Sequence, residues 1–149
     1  MPAFKHTMLT TTPAEMDIIS AAIGDDTNQA RSELDYGKAV VKGAVQNFVL
    51  APADAEIEGF IDSVRGDTVN EGYSFGGIQR RKRIIAEVGA NQGVTPMAVN
   101  DFVVADTQVA FGTKGYAKVK SGNPTKFLWQ VLAIEGTGVA GDKVLLERQ

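Results

Sequence analysis

The densest charge in this chain is Arg80-Arg81-Lys82-Arg83, four consecutive cations in a protein whose net charge is −3. Laid along a strand, the run puts two cations on each face, so one pair reaches solvent. Such a pair can keep sheet edges from aggregating, meet an acidic protein, or touch nucleic acid. The acidic balance and the lack of interleaved aromatics for base stacking make nucleic acid the weakest of the three. His6 is the only histidine. A Ser-His-Asp triad or a histidine-held metal would have to be built on it. It stands in a stretch without helical period and reads as a solvated or partner-contacting side chain.

Carboxylates are more plentiful but dispersed. Asp54, Glu56, Glu58 and Asp62 alternate along the chain, a pattern that fits a cation site or, more simply, the solvated face of a half-buried strand. A carboxylate pair for glycoside chemistry lacks an aromatic-rich cleft, since Trp129 is the sole tryptophan. Gly112-Thr113-Lys114-Gly115 does not have the spacing that wraps a phosphate. Arg65-Gly66-Asp67 spells an adhesion tripeptide, but Gly66-Asp67 already reads as a turn. With no cysteine, thiolate nucleophiles, disulfides and cysteine-held metals are excluded. The expectation is a protein without catalysis, cofactor or metal.

The elements that position these residues are short and β-like. Gly66-Asp67-Thr68-Val69, Asn100-Asp101-Phe102-Val103 and Gly141-Asp142-Lys143-Val144 repeat one device. In it, a turn pair tolerant of positive φ feeds a β-branched residue. Strands are expected over 37–43, 45–50, 57–64 with a bulge at Gly59, 73–75, 83–88, 102–105, 115–119, 127–134 and 144–146. Phe60, Phe102, Phe127 and Trp129 are expected in the core. The N-terminus differs. Residues 1–12 read as an extended arm, and Thr12-Pro13-Ala14-Glu15 as a helix start with Thr as cap and Pro first inside. Met16, Ile19 and Ile23 fall on one helical face, and Gly24 supplies the stop. Asp25 to Asp35 follows as a polar connecting loop.

The fold class expected is therefore mainly β: a small β-barrel or β-sandwich with an extended N-terminal arm and one short N-terminal helix. Its 149 residues suffice for one self-supporting core. The organisation is an arm, helix and loop over 1–35 and a β domain over 36–149. The apolar runs are too short to span a bilayer, and Met1 to His6 lacks a signal-peptide core. The reading is a soluble protein made in a cytoplasm.

Residues 36–149 resemble the small β domain of tailed-bacteriophage capsid cement, or decoration, proteins. The resemblance rests on Tyr36-Gly37-Lys38-Ala39-Val40-Val41, Ile57-Glu58-Gly59-Phe60-Ile61 and Asn100-Asp101-Phe102-Val103-Val104-Ala105. It closes on Leu132-Ala133-Ile134-Glu135 and Gly141-Asp142-Lys143-Val144-Leu145-Leu146. It implies a structural virion protein without enzymatic activity, located on the capsid surface after synthesis in the host cytoplasm. Its partner would be the major capsid protein, whose subunits it bridges, and it would self-associate as a homotrimer or a dimer. Membrane contact is not implied, and nucleic acid is disfavoured by charge. The residues assigned to partner binding are Phe4, His6, Met8 and Leu9 in the arm and Arg80, Arg81, Lys82 and Arg83 in the basic run. Apolar side chains in a loose terminus gain most when ordered against a partner. Two other classes fit the same sequence: a tail or head-completion component, and a soluble β-barrel module binding sugar or single-stranded nucleic acid. The module would need exposed aromatics.

Overall fold

Period-two burial runs through much of the chain, and it builds two sheets. The computed structural model describes residues 18–24, 30, 33–44, 47–64, 74–80 and 83–149. Strands β1 (Ile18–Ile23), β2 (Ala39–Lys42), β3 (Asn47–Leu50), β4 (Gly59–Val64) and β5 (Ser74–Gln79) form a closed barrel in the order β1-β3-β2-β4-β5. Closure comes from β1, parallel to β3 on one side and antiparallel to β5 on the other. The second sheet has the order β7-β8-β6-β10-β9. Its strands are β6 (Ile84–Val88), β7 (Val103–Ala105), β8 (Lys118–Ser121), β9 (Trp129–Glu135) and β10 (Lys143–Arg148). A bridge from Phe102 to Gln130 curls this sheet towards closure as a half-barrel.

The N-terminal helix is corrected over its second half. Residues 18–23 are strand β1, with Ile19, Ala21 and Ile23 directed to the barrel core. The spacing of Ile19 and Ile23 satisfies a helical stripe and a strand face equally. Here the barrel's need for a strand between β3 and β5 decides. The cap at Thr12 and Pro13, and the arm before it, lie outside the described residues, as do Arg65-Gly66-Asp67 and the first turn motif. The expected bulge also moves. The register shift in β4 falls between Ile61 and Ser63 rather than at Gly59.

Strands β2 and β4 are the wall shared by both halves. Val40 and Ile61 point into the barrel with Phe48 and Ile78. Ala39 and Phe60 point the other way, into the half-barrel core with Trp129, Val131 and Leu146. Burial on both faces explains why β4 opens as the unbroken apolar run Phe60-Ile61. Phe60 and Trp129 meet edge to face, with centroids 4.8 Å apart, worth about 0.5–1.5 kcal/mol beyond their burial. The Trp129 indole donates to Ile57 O at 3.0 Å. Phe127 is half-buried against this core, and Phe102 is likewise only half-buried.

The repeated turn device has one geometry in both described copies. Asp101 N donates to Ala98 O, and Asp142 N donates to Val139 O. The third turn residue has positive φ, 77° at Asn100 and 93° at Gly141, the type II arrangement that selects Asn or Gly. The carboxylate after it folds back on the turn. Asp101 Oδ2 accepts from Ala98 N at 2.9 Å, and Asp142 Oδ2 accepts from Val139 N at 3.2 Å. Strands β7 and β10 begin within two residues of these aspartates.

Candidate partner-binding surface

The ionisable groups inside the body fasten loops. Asp35, at the end of a single 3-10 turn, and Lys38, just before β2, are both fully buried. The expected polar connecting loop ends at Asp35, which instead closes a 3-10 turn and is buried. The Lys38 ammonium donates to Asp35 Oδ1 at 2.6 Å, Ala110 O at 2.9 Å and Thr113 O at 2.5 Å. Gly112 N donates to Asp35 Oδ1 at 2.7 Å. This ion pair therefore grips the turn from Ala110 to Thr113, which comes from the long β7–β8 connection. Phe111 at the tip of that turn packs with Val40, Phe48 and Ile78 in the barrel core. One side chain of the second half thus completes the core of the first.

The acidic row is a strand face only at Asp62, which is exposed on β4; Asp54 to Glu58 precede that strand as irregular chain. Asp54 has φ of 71° in a turn and pairs with Lys120 at 2.5 Å. Glu56 Oε1 accepts from the backbone N–H of Phe127, Lys126 and Thr125. The amides of Phe127 and Lys126 are the main reason its pKa is held down at about 2. Asp106 is buried, which by itself raises its pKa. The side-chain and backbone N–H of Asn91, with the Thr107 amide and the Lys120 charge, together outweigh that and hold it low. Asp142 is lowered by the Thr137 amide first, then those of Val139 and Gly138. Among the described residues no buried side-chain nitrogen or oxygen lacks a hydrogen-bond partner, and no cluster of His, Asp and Glu could hold a metal.

The described ends of the basic run lie outside the strands, with Arg80 just after β5, which ends at Gln79, and Arg83 just before β6, which begins at Ile84. Gln79 Nε2 donates to Arg83 O at 3.0 Å and spans the run. Arg83, with its side chain 63% exposed, pairs with Glu147 at 2.7 Å. Arg80 is half-buried, and its carbonyl accepts from Arg148 Nη1 at 3.2 Å. Arg148 in turn lies 4.8 Å over the Phe127 ring, a cation–π contact. Phe4, His6, Met8, Leu9, Arg81 and Lys82 lie outside the described residues. The register Ile18↔Gln79 sets the start of β1 beside Arg80. The fold therefore sets Ile18 and Arg80 close together at one end of the barrel.

A feature that sequence reasoning missed lies near the gripped turn. Tyr36 and Tyr116 are 43% and 42% exposed and border a depression of about 240 Å³ with Leu34 and Lys114. Aromatics in a β-rich chain read as core unless their neighbours across the sheet are known. No protein-family model, curated protein or solved structure matches this chain.

Proposed function

We propose that this chain is a structural virion protein that binds the outer surface of an expanded icosahedral capsid and bridges neighbouring major capsid subunits. The observation that carries the reading is the Ile18↔Gln79 register. It sets Ile18, the first described residue after the arm, opposite Gln79 at the start of the basic run, so the two regions chosen for partner contact adjoin β1 and β5 at neighbouring points of a closed barrel. Interlocked cores support it as well. A body whose second half supplies Phe111 to the first transmits load between subunits instead of opening. Binding only the assembled lattice stabilises that state by mass action. An interface of about 800 Å² per capsid subunit, repeated through a linked arm, gains further from effective concentration. Such a role needs no cofactor and no catalysis.

The test is co-sedimentation of the purified chain with expanded, undecorated capsids, read as copies bound per particle. Saturation over the whole lattice is the expected result, and removal of residues 1–12 abolishes it while the circular dichroism of the body is unchanged. No binding by the folded chain overturns the reading, and copies confined to one vertex or ring favour a tail or head-completion part. A second reading, a sugar-binding β-barrel module, draws on the exposed Tyr36 and Tyr116 beside their depression. Glycan-array binding lost on Tyr116→Ala would favour it.

A further inference from the structure

We propose that the outer face of β8, β6, β10 and β9 is a two-fold interface between copies of this chain. The inference stands apart from the capsid reading. It rests on the registers, which align side chains in rows across the strands. One row is Lys118, Glu87, Lys143 and Glu135, each opposite the next. Its signs alternate, with Lys118 and Glu87 already in an ion pair. Lys143 is held at 5.1 Å from the Tyr116 ring centroid. The adjacent row is apolar: Ile85, Leu145 and Ala133. Ile85 is 48% exposed, and the three share a shallow depression on this face. The inward neighbours Ala86, Val144 and Leu146 are buried, so the outward direction of this set follows from alternation. A third row holds the Arg83–Glu147 pair.

An axis parallel to the strands and lying between β6 and β10 maps every row onto itself in reverse. Lys118 then faces the partner's Glu135, and Glu87 faces the partner's Lys143. Ile85 faces the partner's Leu145, and Arg83 faces the partner's Glu147. A single axis satisfies charge and apolar rows together, which is the requirement of an isologous contact. Sliding one copy sideways by one strand sets like charges against each other, so the alternation also fixes the alignment. Near-parallel strands across the contact match the aligned packing of sheets. Four strands about 4.8 Å apart and three rows about 6.8 Å apart cover about 400 Å², half of a standard interface. Association is accordingly weak and sensitive to salt.

Sedimentation velocity of the full chain at low salt, carried to millimolar concentration, reads this directly. A monomer–dimer equilibrium is expected. Ile85→Lys removes it, and Lys143→Glu raises the dissociation constant about 100-fold, because two symmetry-related contacts each turn from attraction to repulsion. Mixing the Lys143→Glu and Glu87→Lys chains restores a dimer of the two, since each supplies the charge the other lacks. Thermal melts at dilution establish that the variants keep the parent fold. A chain that stays monomeric throughout, or an oligomer insensitive to either Ile85→Lys or Lys143→Glu, overturns the proposal.

Discussion

Replacing Lys38 with methionine isolates the contact that ties the two halves together. Methionine keeps the length of the side chain and opens little cavity, so the loss is almost entirely that of the ammonium. Lys38 and Asp35 are both at 0% exposure, and the ammonium's three protons go to Asp35, Ala110 O and Thr113 O. Without it, the Asp35 carboxylate stays buried beside the Gly112 amide, and two carbonyls lose their donor. Removing one member of a buried ion pair costs about 3–5 kcal/mol. At about 2–4 °C per kcal/mol for a chain of this size, the melting temperature falls by about 6–20 °C. Urea denaturation followed by the fluorescence of Trp129, itself fully buried, gives the free energy, and amide exchange at Gly112 reports the turn. Adding Asp35→Asn should cost less than the sum of the single changes, with a coupling of about 1–3 kcal/mol. If Lys38→Met lies within about 1 kcal/mol of the parent and Gly112 stays protected, the ion pair does not hold the turn and the argument fails.

Acid should loosen the loop at 125–127. The folded pKa of Glu56 is depressed to about 2 from an ordinary 4.5. Its contribution is therefore complete above about pH 4.5 and is lost as pH falls towards 2. Glu56→Gln should cost about 1–2 kcal/mol at neutral pH, the full shift being reduced by the carboxylate's access to water. It should also flatten the acid limb of a melting-temperature profile, and an unchanged limb counts against the assignment. Gly138→Ala should destabilise by about 3 kcal/mol or more. Gly138 has φ of 87°, and an added Cβ would lie 2.1 Å from Met97 O. A thermal melt within a few degrees of the parent would show that the loop gives way instead.

What the sequence determines by itself is what is local. Asn100-Asp101 and Gly141-Asp142 announce their turns because positive φ and a back-folding carboxylate involve only four or five neighbouring residues. The mainly β class follows from such turns and from alternation. The sequence also exposes the charge of Arg80 to Arg83, but not its place. The fold sets Arg80 just past β5 and Arg83 just before β6, and pairs Arg83 with Glu147, 64 residues away. The helix expected through Ile23 gives way to a strand over 18–23 for the same reason. A short apolar stretch fits two periods, and the empty slot between β3 and β5 exists only once those strands are assembled. Lys38 is the clearest case. Nothing beside it distinguishes a buried lysine from a solvated one, and its carbonyl partners lie 72 and 75 residues further along. Local conformation is set by each residue's own sterics and near neighbours. Which distant groups desolvate together is set by the packing of the whole chain, and only the tertiary structure decides it.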